Sequence, residues 1–328
     1  MVLASEKGWP YSRDTIQDLP KDVFVNWEVE RLWQIVRNDL TAWFSPHGGT
    51  DFKSERRVLI GTPGIGKSMA AGSYLLYQLL RCDVEKLQVV AYCFGITMYV
   101  FDKITKTVTR YSDEDMCVSE LRRLRGHGRN VYIIYGVAKE GTPPPKHFAP
   151  TSGWGMVAVP FPKVTNYGEW AKQLKAARII VNCPDEMDVR AMCAWITRDG
   201  TAEKKAEYWR MVKERMDNVG PIPRHIFDAN EFIAHSAAIE DALDGIKSRD
   251  GERHFTHGGV RLWDTENPPQ RVVRVVRGRG EVGAEGFLNA PISVCLGRRI
   301  PQYLGKRDEC EGYFFSLAIA GEEEYSFV

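Results

Sequence analysis

The chain of 328 residues lacks a charge imbalance: 44 Lys and Arg face 43 Asp and Glu, a net charge of +1. No whole-molecule field draws it to nucleic acid or to an anionic membrane, so any such contact must come from a local patch. It also lacks a long hydrophobic run. The longest nearly apolar stretch, Val89–Phe101, has 13 residues and contains Gly95 and Thr97. A bilayer-spanning helix needs roughly 20. Met1–Lys7 do not form a basic start followed by an apolar run, so no secretory signal is expected. The seven cysteines (82, 93, 117, 183, 193, 295 and 310) are odd in number and form no C-x-x-C pair. They read as reduced thiols of an intracellular protein, without a zinc site or disulfide frame. What is present is an ordinary globular mixture, 44% apolar and 27% charged, with no internal repeat.

Residues 1–25 are polar, carry Pro10 and Pro20, and read as a loose lead-in. A helical period follows in Val29, Leu32, Val36, Leu40 and Trp43, with Asn26 as its cap and Ser45–Gly49 as its stop. Arg56–Ile60 is a short apolar run entering a Gly-rich turn, and Ser68–Leu80 behind the turn reads as a helix. Leu87–Phe94, Val131–Tyr135, Met156–Val159 and Ile179–Val181 are strand-like, the first of them apolar enough to be covered on both faces. Tyr99–Phe101 and Thr107–Tyr111 suggest a hairpin, and 113–124 and 166–175 suggest helices. Strands alternating with helices predict a parallel α/β sheet. Beyond Pro184 come helical patterns at 185–197, 202–219 and 229–247, then strand-like pieces at Arg271–Val276, Pro291–Leu296 and Tyr313–Ile319.

Gly61-Thr62-Pro63-Gly64-Ile65-Gly66-Lys67-Ser68 fits the phosphate-loop (Walker A) pattern G-x-x-x-x-G-K-[ST], between an apolar strand-like run and a helix. Glycine allows positive φ and a close backbone approach to a ligand. Loop amides and the helix N-terminus then face the anion. The expected nucleotide contacts are Gly61, Thr62, Pro63, Gly64, Ile65, Gly66, Lys67, Ser68 and Met69, with Lys67 on the β- and γ-phosphates and Ser68 on Mg²⁺. No N/T-K-x-D element for guanine is present, and Asp217–Gly220, a D-x-x-G match, falls at the end of a helical pattern, so ATP is the expected nucleotide.

Hydrolysis needs an acid that holds Mg²⁺ and a group that orients water. Where Val131–Tyr135 should end in Asp, the chain has Gly136, and no acid follows before Glu140. Asp185 and Glu186 are a fallback, although Pro184-Asp185-Glu186 also reads as the first turn of a helix, where acids suit the dipole.

These residues resemble the retrotransposon hot spot proteins of trypanosomes. The resemblance is carried by Asn26–Glu30, Val58–Leu80, Arg178–Trp195, Pro221–Phe227 and His254–Asp264, and runs from about residue 20 to about 300. That multigene family contains many degenerate copies. The resemblance implies an α/β P-loop NTPase, AAA-like, in which helices flank a parallel sheet, with a helical lid and a smaller mixed α+β C-terminal segment. The boundaries are a lead-in and helix at 1–50, the nucleotide-binding domain at 51–220, the lid at 221–250 and a C-terminal segment at 251–328 that reads as truncated. It further implies a nuclear or perinuclear location with some cytoplasmic members, association with chromatin, RNA or nucleic-acid complexes, and assembly with family members. Arg224 falls where the family has an arginine before its lid helix, a site for a γ-phosphate sensor. Two departures stand out. Gly136 replaces the strand-end acid, and Val159-Pro160-Phe161-Pro162-Lys163 replaces a strand ending in a small polar sensor.

Arg271, Arg274, Arg277 and Arg279 place four cations in nine residues, either a phosphate-binding strand or solvated edge arginines around core valines. Arg122, Arg123, Arg125 and Arg129 end a helix, where cations suit the dipole. His254 and His257 lack further ligands at metal spacing, and Glu322–Glu324 read as a solvated tail. Two readings stand. One is an ATP-binding protein with weak or lost ATPase activity; the other is a non-catalytic scaffold for nucleic acid or protein, derived from an ATPase.

Overall fold

The computed structural model describes residues 1–6, 8–9, 22–44, 55–136, 154–159, 168–245, 269–278 and 285–305. Ser45–Gly49, Glu140, Pro160–Lys163, His254, His257, Arg279, Tyr313–Ile319 and Glu322–Glu324 lie outside them. The chain forms two compact units. The first comprises Met1–Ile60 and Gly66–Ile179, the second Gly61–Ile65 and Ile180–Val328.

In the first unit the lead-in contains a short ribbon, unlike the loose segment expected. Strands β1 (Val2–Ala4) and β2 (Asp22–Phe24) pair antiparallel, Leu3 opposite Val23. Helix α1 (Trp27–Trp43) starts where Asn26 accepts the Val29 amide at 3.1 Å, and buries Val29, Leu32, Val36 and Leu40. The three- and four-residue spacing puts those four on one stripe. Strand β3 (Arg56–Gly61) leads into the Gly-rich turn. Behind the turn, Lys67–Ala71 form a π turn that passes into α2 (Gly72–Arg81). The Tyr74 hydroxyl donates to Glu30 and accepts from Gln78 at 2.6 Å, which ties α2 to α1. Burial and the Glu30 carboxylate push the Tyr74 phenol up to about 12.

Next come β4 (Val89–Phe94), the hairpin β5 (Thr97–Asp102) and β6 (Thr107–Tyr111), α3 (Glu114–Gly126), β7 (Val131–Gly136), β8 (Gly155–Val159), α4 (Gly168–Gln173) and β9 (Ala177–Val181). The seven-stranded sheet has the order β6-β5-β4-β7-β8-β3-β9. Pairs β4–β7, β7–β8 and β8–β3 are parallel, and the β5–β6 hairpin extends the edge antiparallel. Every residue of β7 and β8 is buried, the pattern of strands covered on both faces. Gly155 is required there, because a Cβ would sit 2.4 Å from the Tyr132 ring. This mostly parallel sheet with flanking helices is the fold class expected.

The second unit continues with α5 (Glu186–Ile196), α6 (Ala202–Val219), α7 (Pro223–Phe227), α8 (Ala229–Gly245), α9 (Pro269–Val272), the antiparallel ribbon β10 (Val273–Gly278) and β11 (Gly286–Pro291), and α10 (Val294–Gly305). Val189, Val212, Ile226, Leu243, Val273 and Leu296, each at most 1% exposed, share one core. Pro291–Leu296, expected as a strand, is instead the end of β11 and the start of α10. Ile292, Val294 and Leu296 alternate like a strand, but Ser293 Oγ accepts the Leu296 amide at 3.1 Å and caps the helix. Among the described residues no helix is long and apolar enough to cross a membrane.

In urea unfolding, Asn26→Ala should lower stability by about 1 kcal/mol through the lost cap. Leu32→Ala, at a site with 0% exposure, should lower it by about 2–5 kcal/mol through the cavity left behind.

Candidate functional site

The Gly-rich turn divides between the two units, and each half has its own supports. The first half, Gly61–Ile65, packs within the second unit. A Cβ on Gly61 would lie 2.6 Å from the Val181 carbonyl oxygen, so only glycine lets β3 pass there. Thr62 is fully buried, and its Oγ1 accepts the Val275 amide at 3.0 Å. Pro63 is half-buried and Ile65 packs against the core of the unit. Gly64 has φ +83°, and a Cβ on it would meet Ile222 Cγ2 at 2.7 Å and Arg224 Cβ at 3.2 Å. The structure therefore brings two sequence candidates together: the Arg224 amide donates a long hydrogen bond of 3.4 Å to the Gly64 carbonyl. The Arg224 side chain is exposed.

The second half, from Gly66 onward, belongs to the first unit. Gly66 has φ +91° and starts the turn that carries Lys67, Ser68 and Met69, all half-buried. Its carbonyl accepts the Ala70 amide at 2.6 Å and the Ala71 amide at 3.4 Å. The sequence predicted a plain α-helix from Ser68; the first five residues are wider than that, and such π turns recur at functional sites. A tight contact accompanies it one turn on. Gly72 lies against β4, where a Cβ would come within 2.9 Å of the Tyr92 hydroxyl. Two left-handed glycines separated by one residue, at the start of a helix, are the backbone pattern of an anion nest. A Cβ at either glycine would strain that backbone, so the residues fit a phosphate group. Ser68 stands at the position whose hydroxyl would hold Mg²⁺ beside it.

Gly136 ends β7 opposite Phe94 of β4 and Val159 of β8. A Cβ there would lie 3.2 Å from Phe94 Cδ2 and 3.4 Å from the Cys93 carbonyl oxygen, so an aromatic ring already occupies part of the space of a strand-end acid. Asp185 takes the helix-start reading. It caps α5 by accepting the Asp188 amide at 2.7 Å, and the Asp188 carboxylate accepts the Asp185 amide at 3.3 Å. Glu186 pairs with Lys213 at 3.3 Å, and Lys213 also meets Asp217 at 2.6 Å. Asp217–Gly220 is the end of α6, with Gly220 at φ +89°. Among the described residues no group of three or more His, Cys, Asp or Glu could hold a metal.

The basic runs divide as well. Arg271 is exposed on α9, whereas Arg274, between buried Val273 and Val275, and Arg277 are half-buried on β10. Arg123 makes two 2.7 Å hydrogen bonds to Glu120 on α3.

One feature carried no signal in the sequence. His225 and His235 stack with ring centroids 3.8 Å apart and planes 4° apart. His225 Nδ1 and His235 Nε2 are buried, and neither has a hydrogen-bond partner among the described residues. Burial, with Arg224 beside it, pushes His225 down to about 4. Burial does the same for His235, with His225 and Arg271 adding to the effect and Glu231 opposing it. Both rings are therefore neutral at pH 7, and the 3.4 Å approach of His225 to Glu231 is not an ion pair there. The two histidines are ten residues apart and meet only because α7 packs on α8.

Residues 58–312 match the family model described as retrotransposon hot spot protein, P-loop domain, and residues 1–55 match that of the retrotransposon hot spot protein N-terminal region. No curated protein sequence matches the chain. Among solved structures it is similar to the Aeropyrum pernix ORC2 protein in ADPNP and ADP complexes, at 12% identity and a TM-score of 0.35, over 78% of this chain and 71% of that one. It is also similar to the Aeropyrum pernix ORC1 protein in complex with DNA, at 13% identity and a TM-score of 0.29, over 85% and 91%. The sheet, the Gly-rich turn and the family match together make this a P-loop nucleotide-binding fold.

The stacked histidines predict a pH dependence. The unfolded chain takes up protons near pH 6.5, whereas the folded pair refuses them until about pH 4. Their contribution to stability is complete above pH 6.5 and is lost as pH falls towards 4. The loss is on the order of 2 kcal/mol after solvent screening. Arg215 of α6, which donates to the Ile226 carbonyl at 3.0 Å, adds to the local positive charge along with Arg224 and Arg271. His235→Phe keeps a stacked ring without the titration, so its urea midpoint should fall less than wild type between pH 6.5 and 4. An identical fall would remove the pair as the cause.

Proposed function

The chain belongs to the retrotransposon hot spot protein family, and we propose that it binds Mg-ATP at Gly61–Ser68 while its ATPase activity is weak or lost. The observation that carries this reading is the turn itself, with Gly64 and Gly66 both left-handed ahead of a helix start. Main-chain amides of Gly61, Thr62, Gly64, Ile65 and Gly66 would wrap the phosphates, Pro63, which has no N–H, would shape the turn beside them, Met69 would complete it, and the Lys67 ammonium would neutralise β- and γ-oxygens. Ser68 would hold Mg²⁺, which would supply charge neutralisation to the same phosphates. Arg224 supplies a guanidinium to the γ-phosphate, with its backbone held to Gly64.

Catalysis by such a site is positioning plus charge stabilisation, and it needs an acid beside the metal. Gly136 cannot provide one, and Phe94 crowds the place. That crowding also favours the second reading, a scaffold that holds nucleotide or nothing and acts through its partners. Either form would work in a nuclear or perinuclear complex with nucleic acid, chromatin or RNA-associated proteins, with cytoplasmic members and assembly with other family members. That placement rests on the family.

Equilibrium titration and steady-state hydrolysis test the reading. Wild type should bind Mg-ATP, and Lys67→Ala should weaken binding at least about tenfold, the value of one charge-assisted contact. Wild-type turnover should stay well under the roughly 1 per second at the low end of ordinary enzymes. Gly136→Asp combined with Phe94→Ala, which makes room for the carboxylate, should raise it. Brisk wild-type hydrolysis would overturn the degenerate site; unaltered binding in Lys67→Ala would overturn the site altogether.

A further inference from the structure

The side chain of the second residue of the phosphate loop is turned into the protein. Thr62 is fully buried and its Oγ1 accepts the Val275 amide at 3.0 Å, across 213 residues of sequence. Val275 is on β10, whose ladder, among the described residues, is shared with β11 alone. Two residues on, the Arg277 amide donates to Asn182 Oδ1 at 2.8 Å. Amides at 275 and 277 lie on one edge of the strand, because successive residues of a strand alternate. The β10 edge facing away from β11 is therefore held by side chains from the phosphate loop and from the residue after β9. A reciprocal bond closes the arrangement: the Glu285 carboxylate, one residue before β11, accepts the Ile180 amide at 2.7 Å. Val181, between Ile180 and Asn182, is the residue whose carbonyl fixes Gly61.

Loop stem and C-terminal ribbon are thus joined side chain to backbone at three points. The joint at the loop runs through the Thr62 hydroxyl. A buried amide that loses its acceptor is costly, whereas an exposed one finds water. The Thr62 hydroxyl therefore has more leverage on the loop than its small size suggests.

We propose that Thr62 is a positioning residue: through Val275 it couples the conformation of the phosphate loop to the order of the β10–β11 ribbon, so that nucleotide occupancy and ribbon order favour one another. This rests on the nucleotide-binding reading above and extends it to regulation. Coupling of this kind is reciprocal, so whatever orders the ribbon also raises nucleotide affinity by the same factor. The C-terminal segment becomes part of the nucleotide site.

Amide hydrogen exchange, with and without Mg-ATP, tests this on the full chain. In wild type, Mg-ATP should slow exchange across 273–278 and 286–291. Thr62→Val keeps the shape but removes the acceptor. Without nucleotide it should speed exchange at 273–278 about tenfold, the effect of one lost buried hydrogen bond. It should also weaken Mg-ATP binding by about the same factor and abolish the nucleotide-dependent protection. Thr62→Ser keeps the acceptor and should stay within about twofold of wild type on all three. Unchanged exchange in Thr62→Val, or equal loosening in Thr62→Ser, overturns the proposal. If Thr62→Val fails to fold, the wild-type measurement still decides, since ATP binding without ribbon protection overturns it. If wild type binds no ATP, the nucleotide reading falls, whereas the nucleotide-free exchange difference still judges the Thr62 joint.

Discussion

The phosphate loop depends on the absence of side-chain volume at two points. At Gly61 a backbone carbonyl occupies the space of a Cβ, and at Gly64 an isoleucine methyl does. Gly64 and Gly66 also hold a backbone that ordinary residues resist. Steric demand therefore comes from the packing of Val181 and Ile222, and conformational demand from the turn itself. Both press on the same few residues, and the rest of the site is arranged behind them.

Around this turn the residues of a phosphate loop stand in place, whereas the end of β7 carries no acid. The turn, the lysine and the hydroxyl residue stand in sequence and at a helix start. At the end of β7 the strand-end position is glycine, and Phe94 Cδ2 lies 3.2 Å from where a Cβ would stand. Asp185, the fallback acid, is committed to capping α5, and Glu186 to Lys213.

Much of the first unit was legible in the sequence. Asn26 capped its helix and the Val29, Leu32, Val36, Leu40 stripe was buried as spaced. The uninterrupted apolar runs became the covered strands of a parallel sheet. Local signals sufficed there because period and burial agreed. They failed at Pro291–Leu296, where strand-like alternation lost to a Ser293 cap, and at Lys67–Ala71, where the fit of Gly72 against Tyr92 accompanies a π turn. The short pairing of β1 with β2 was invisible because three-residue strands carry almost no pattern.

By itself the sequence determined the parallel α/β architecture, the location of the phosphate loop, the need for glycine within it and the lack of a strand-end acid. These follow from residue identity and from spacing along a few turns or a single strand. Only the tertiary structure decided that the buried Thr62 hydroxyl holds Val275, that His225 and His235 stack as neutral rings, and that Phe94 packs beside Gly136. Each of these joins residues from different elements, up to 213 positions apart. No local periodicity records such a meeting, because it arises only when separate elements pack.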